Sequence, residues 1–350
     1  MKSTIINILK FFLFLGVGLV ILYLVYHWQN EAYQAQCAID GTPSADCSLI
    51  QKVIDDFRGL NMWWVYGVFA AFIFSNFMRA LRWNMLLKSL GRSPRTVNSF
   101  LTIMLGYFAN LGVPRLGEVL RPVTMARYEK VAVEKVLGTI VVDRAIDVLS
   151  LLVLISIAFL LEFDRLWGYL SENMQTGGLL SGNTLLLLGG AGMVGLGLLY
   201  AFRQPIQQSK FYEKIVNVLK GFWEGILSVK NLDNPVLFVV YSILIWVAYY
   251  VMFYMYLPAF APTEHLGFTV ALMVFVFGTF GIVIPSPGGM GSYHFLVMAA
   301  LALYGVTGSD AFSFANFSFF ATHFCNIVLG LAAVLFLPTI NKNYQPVPIE

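Results

Sequence analysis

The sequence predicts an all-α polytopic membrane protein, and three observations carry that reading. First, 58% of the 350 residues are hydrophobic and only 12% are charged, with a mean hydropathy of +0.74, far more apolar surface than a soluble globule can bury. Second, apolar segments recur along the whole chain, at about 5–26, 62–81, 99–113, 136–161, 183–202, 235–257, 267–284, 292–304 and 311–337. Third, proline or glycine interrupts two of these segments where a spanning helix needs about 20 continuous apolar residues. The chain is read as a single integral membrane domain over 1–350, with about eight spanning helices.

The first segment, 5–26, is expected to be an uncleaved anchor. It is longer than a signal-peptide core, and no small-x-small site follows it. The connection 27–60 holds Lys52 and Arg58 against Glu31, Asp40, Asp46, Asp55 and Asp56, which places it outside. Its Cys37 and Cys47 are free to form a disulfide or to stay reduced. The segment from Arg79 to Arg95 holds Arg79, Arg82, Lys88, Arg92 and Arg95 and no acid, a cytoplasmic signature. Arg79 and Arg82 either snorkel beside Trp83 as interface anchors or bind a lipid phosphate.

The run 99–113 is short and is cut by Pro114. Arg115, Glu118 and Arg121 follow at helical spacing, with Gly117 among them. Five basic residues, Arg115, Arg121, Arg127, Lys130 and Lys135, would be stranded outside if this run crossed. A re-entrant or broken helix over about 99–127 removes the conflict, because irregular backbone at membrane depth is tolerated where it lines a cavity or is buried in protein.

In the next span, Asp143, Arg144 and Asp147 are the charged side chains lying within a long apolar run. Ionisable groups in that position call for a partner. An internal ion pair with the set Arg115, Glu118 and Arg121 is the expected arrangement. It serves either a substrate site or a salt-bridged knot that fixes helix packing.

The stretch 203–230 spaces Ile206, Phe211, Ile215, Val218, Leu219, Phe222 and Ile226 helically with lysines between, and is expected to lie on the inner surface as an amphipathic helix. Beyond it a second break, about 284–294, contains Pro285, Pro287, Gly288, Gly289 and Gly291 before His294. A helix starting near Ser292 would aim its positive end at whatever occupies the break. Two interrupted short segments, one in each half, suggest inverted pseudo-symmetry around a midplane site. Parity then puts both termini in the cytoplasm, and the setting is a bacterial cytoplasmic (inner) membrane.

Some classes are disfavoured. His27, His265, His294 and His323 are scattered and form no metal-ligand spacing, no nucleophile elbow appears, and no motif or basic tail fits a nucleic acid. No catalytic role, metal or cofactor is expected.

The segments RALRWNMLL, NLGVPRLGEVLRP, VVDRAIDVLSLL and PSPGGMGSYH, in that order, resemble the lysylphosphatidylglycerol synthase transmembrane-region family. The resemblance implies two re-entrant elements around a lipid-accommodating cavity. It carries a lipid or substrate site onto Arg79, Arg82, Pro114, Arg115, Gly117, Glu118, Arg121, Asp143, Arg144, Asp147 and the second break from Pro285 to Gly291. Where the family commonly has an acid three positions after the last glycine, this chain has His294. The sequence ends at Glu350 without the soluble aminoacyl-transferase domain, so lipid aminoacylation is not expected.

The function implied is flippase-like movement or accommodation of an anionic or aminoacylated phospholipid, or of a polyprenyl-phosphate lipid. The partners implied are anionic membrane lipids, with a homo-oligomer or a lipid-synthesis enzyme as further candidates. A small-solute or ion transporter, a scaffold for envelope enzymes and a lipid-headgroup enzyme are the alternatives.

Overall fold

Apolar runs bounded by capping residues give the helices of the computed structural model, which describes residues 2–39, 47–113, 115–165, 167–168, 227, 229–284 and 289–348. They are α1 (Lys2–Ile39), α2 (Leu49–Arg58), α3 (Met62–Lys88), α4 (Thr96–Gly112), α5 (Leu116–Glu129), α6 (Val133–Leu161), α7 (Pro235–Ala259), α8 (Phe268–Val283), α9 (Ser292–Ala302) and α10 (Gly308–Ile340). Side-chain oxygens of Ser48, Asn61 and Asn234 accept backbone N–H groups of Gln51, Trp63 and Leu237, so α2, α3 and α7 begin at capping residues. Pro235, which lacks the N–H that the first turn leaves unbonded, starts α7.

The chain is an all-α, multi-pass membrane protein. Among the described residues, α3, α6, α7 and α10 are each long and apolar enough to cross a membrane. The expected span 183–202 and the surface helix 203–230 lie outside the described residues, apart from a few positions at the end of the latter. So do Pro114, Pro285, Pro287 and Gly288 of the expected site.

The chain divides into two compact units, Met1–Asp143 with Leu232–Glu350, and Arg144–Asn231. In the second, the described part is chiefly the later portion of α6, whose Val148, Leu152, Val153 and Leu160 are exposed apolar side chains.

Within the first unit α3 and α7 are antiparallel: Asn61 N–H donates to Ala259 O at one end, and Ser75 Oγ donates to Ile245 O nearer the middle. Gly67 lets α7 approach, since a Cβ there would lie 2.8 Å from Met255 Sδ.

α4 and α5 form the expected re-entrant hairpin. At 1.5 Å per residue they reach about 25 and 21 Å, short of a hydrocarbon core of about 30 Å. Both limbs begin and end at one end of the molecule, because Asn98 near the start of α4 donates to Glu129 at the end of α5 at 3.3 Å. The limbs touch through glycines: a Cβ on Gly117 would collide with the carbonyl of Gly106, and Gly117 N–H donates to Asn110 Oδ1 at 2.7 Å.

A second hairpin is formed by the apolar segments 267–284 and 292–304. α8 and α9 are about 24 and 16 Å long by the same rise, too short to span, and they pack directly on each other. Gly278 and Gly281 of α8 admit Tyr293 of α9, and Ser292 Oγ donates to Gly281 O at 2.7 Å.

The first hairpin opens toward the end holding Asn98, the second toward the end holding Gly267 and Thr307. The expected inverted arrangement is therefore present as geometry.

α10 supports both. Near its start Phe314 and Phe317 meet Tyr256 of α7. Further on, Ser318 accepts from Tyr293 O–H at 2.9 Å, and Gly330 then packs against Phe108 of α4.

The connection 27–60 is helical for most of its length. Cys37 and Cys47 are joined by a disulfide, Leu49 packs with Val25 and Phe312, and Lys52 Nζ bridges Asp56 and Asp310 at 2.8 Å each.

Candidate functional site

Asp143 is fully buried, and three guanidinium groups converge on it. Arg82 donates through Nη2 and Nε to Oδ1 at 2.7 and 3.1 Å, Arg121 through Nη2 to Oδ2 at 3.2 Å, and Arg79 Nη1 lies 3.8 Å from Oδ2. Arg82 also reaches Ser242 Oγ on α7 at 3.3 Å.

One carboxylate thus ties α3, α5, α6 and α7 together. Charges taken out of water are sustained only by such multiple, well-directed contacts. The guanidinium of Arg121 lies 4.1 Å from the Trp83 ring centre, and Trp83 Nε1–H donates to Thr139 Oγ1 at 3.0 Å.

Of the residues expected at the site, Arg79, Arg82, Arg121 and Asp143 are therefore brought together. The interface-anchor reading of Arg79 and Arg82 is overturned, since Arg79 is 5% exposed and both Arg82 and Trp83 are 0% exposed. Their partner sits 61 positions beyond Arg82, where local hydropathy has no information about it.

Arg115 and Glu118, expected to share in an ion pair with the set Asp143, Arg144 and Asp147, are exposed near the tip of the first hairpin. Arg115 occupies the left-handed region, φ +66°, which L side chains seldom adopt; the break that Pro114 announces is completed by this residue. Arg144 is exposed and Asp147 half-buried, both in the second unit. Of the expected partner set Arg115, Glu118 and Arg121, Arg121 reaches Asp143, and Arg79 and Arg82 of α3 stand in place of the other two.

At the second break Gly289 and Gly291 have φ near +80°, and a Cβ on Gly289 would lie 3.0 Å from Ile282 Cα, so the turn requires glycine twice over. His294 follows in the first turn of α9, buried beside Phe319 with ring centres 4.7 Å apart. Beside this hairpin, α1, α9 and α10 enclose an apolar groove of about 220 Å³, with Val25, Trp28, Phe295 and Met298 among its lining residues.

By rise along α10, the levels of Phe319 and Gly330 that receive the two hairpins are about 16 Å apart.

One cluster escaped the sequence reading. The end of the chain is strapped to the base of the first hairpin: Arg92–Ser93 pair antiparallel with Val347–Pro348, and the Arg95 guanidinium sits 4.1 Å from the Tyr344 ring centre. Tyr344 O–H donates to Glu129 Oε2 at 2.9 Å, and Asn98 and Asn341 exchange amide hydrogen bonds. Isolated polar residues near a terminus carry no pattern that would have revealed it. Burial and the neighbouring Glu129 carboxylate push the Tyr344 phenol up to about 12. No cluster of three or more metal-ligating side chains occurs among the described residues.

The family model described as Lysylphosphatidylglycerol synthase TM region matches residues 46–330, which include both hairpins and the arginine cluster. No curated protein and no solved structure matches the chain.

Proposed function

The chain belongs to the Lysylphosphatidylglycerol synthase TM region family, and on that footing we propose that it is a flippase-like protein that translocates or accommodates a lipid with an anionic headgroup. An anionic or aminoacylated phospholipid and a polyprenyl phosphate are the substrate classes. The setting is a bacterial cytoplasmic membrane, with both chain termini and the Arg79–Arg95 segment on the cytoplasmic side, as the positive charge bias favours.

The observation that carries the proposal is the pair of helical hairpins opening toward opposite ends of the molecule and resting on one helix, α10. A charged headgroup crosses hydrocarbon only if fixed donors replace its water, and breaks at membrane depth supply free backbone groups and room. Arg115, exposed at the first tip, offers the planar fork suited to phosphate. The apolar groove between α1, α9 and α10 suits an acyl chain. Lipid movement of this kind makes or breaks no covalent bond, so the reading assigns the chain no catalytic residue.

The test is a leaflet-translocation assay in reconstituted vesicles with fluorescent phospholipids and polyprenyl phosphates. Arg115→Ala and Gly289→Leu should each reduce movement at least about tenfold, the equivalent of about 1.4 kcal/mol on a barrier, with Arg115→Ala folded as wild type. If wild type moves none of the panel, or both variants move lipid at the wild-type rate, the proposal fails.

A further inference from the structure

His294 sits where the second hairpin turns into α9, 1% exposed, and neither ring nitrogen has a hydrogen-bond partner among the described residues. An imidazole carries a donor and an acceptor on its two nitrogens, and buried polar atoms nearly always find partners. Its surroundings do not help. Phe319 lies against its ring at 4.7 Å, and Tyr293 edges it at 5.9 Å.

The titratable groups around it are His323 from α10, Tyr293 from its own helix and, beyond Tyr293, Tyr256 from α7. His323 stacks on the opposite neighbour Phe319 at 3.8 Å and turns Nδ1 to Phe319 O; Tyr293 O–H is committed to Ser318, and Tyr256 O–H shares a hydrogen bond with Thr322. Asn316 donates to Phe312 O, and its side chain is the one polar neighbour that favours a charged His294 ring. None of these groups is a carboxylate, and α8 faces the start of α9 with Gly278 and Gly281. The positive end of α9 is adjacent and repels a cation.

We infer that His294 is a proton-binding site that couples hydrogen-ion uptake to opening of the α8–α9 hairpin. A hydronium ion gives its proton to the lone pair of one ring nitrogen: one O–H bond breaks, one N–H bond forms, and water is released. The resulting imidazolium has only the Asn316 side chain to favour it, against burial and the His323 ring, and leaves the slot, which separates α9 from α8. Loss of the proton lets the neutral ring return and the hairpin close. The coupled ion of lipid movement is then H⁺, and this rests on the reading of the hairpins as the moving elements.

The experiment uses the full chain in lipid nanodiscs, with the buried Cys325 replaced by alanine and the Cys37–Cys47 disulfide kept. Val297→Cys is the reporter, because Val297 is 0% exposed and packs where a Cβ on Gly278 would meet it. Its labelling by a membrane-permeant thiol reagent is compared with that of Phe295→Cys, which is exposed on the same helix, so that thiol ionisation cancels in the ratio.

From about pH 8 to about pH 5, where imidazoles ordinarily titrate, the ratio should rise at least about tenfold. His294→Phe and, as a second variant should that one misfold, His294→Asn should hold the ratio flat, while His323→Phe should keep the rise. A flat ratio in the parent, or the same rise in the His294 variants, overturns the inference. Labelling needs no lipid movement, so failure of the translocation assay with a normal labelling response would instead remove the flippase reading.

Discussion

Arg82 and Asp143 meet inside the protein across 61 positions of sequence, with two guanidinium hydrogens on one carboxylate oxygen and neither side chain exposed. Removing one member of such a pair strands the other, typically at about 3–5 kcal/mol. Asp143→Leu should cost the most, because it deprives Arg79, Arg82 and Arg121 of their shared carboxylate at once. Arg82→Leu should cost less than Asp143→Leu, and Arg144→Leu, at an exposed position, should stay within about 0.5 kcal/mol of wild type. Thermal melts in detergent rank the three, and parity of Arg144→Leu with Asp143→Leu would contradict the pairing.

Gly117→Ala should prevent the first hairpin from closing. The added carbon meets the Gly106 carbonyl, which is backbone and cannot turn aside, and lies 2.8 Å from Asn110 Oδ1. A loss of about 1–3 kcal/mol is the usual result of overpacking. Gly112→Ala, five residues earlier with nothing within 4 Å, should be neutral or gain roughly 0.5–1 kcal/mol as a glycine removed from a helix. Equal melts for the two variants would show that the limbs do not touch.

Thr96→Cys and Tyr128→Cys should react with an impermeant thiol reagent from the same side of the membrane, because the bond between Asn98 and Glu129 holds their neighbours at one end of the molecule. Spheroplasts and inside-out vesicles separate the two sides. Labelling of one residue from each side would turn the hairpin into a crossing.

The strap at the chain terminus should loosen in alkali. The folded Tyr344 phenol is pushed up to about 12, above its ordinary value of about 10, so the neutral form is the one the fold prefers. Its contribution is complete below about pH 10 and is lost as pH climbs toward about 12. Tyr344→Phe should flatten this part of the pH–stability curve while lowering stability at neutral pH. Lys52, bridging Asp56 and Asp310, has a raised pKa as well and also weakens in strong alkali, so the comparison between wild type and Tyr344→Phe isolates the strap.

The two breaks were legible because proline removes a helix N–H and glycine adds an entropic cost to helix, signals that a local window carries. The identity of the partners was not. Arg79 and Arg82 precede Lys88 near the end of an apolar run, which from hydropathy alone reads as an anchor. Only the antiparallel packing of α3 on α7, with Asp143 arriving from α6, turns them inward. Likewise the pairing of 267–284 with 292–304 is hidden until Ser292 is seen bonded to Gly281 across the turn. What the sequence withholds in each case is a contact between residues far apart along the chain or across a turn, set by packing and invisible to any local window.

α10 is 33 residues long, about 50 Å at the usual rise, and both hairpins lean on it, one through Tyr293 on Ser318 and the other through Phe108 on Gly330. It works as a common rail. A shift of this helix along its axis displaces the seats of both tips in one direction, so one hairpin is pressed toward its mouth while the other is drawn from it. Were the two hairpins to open and close, whatever free energy opening one lent to closing the other through this helix would be returned by the second to the first.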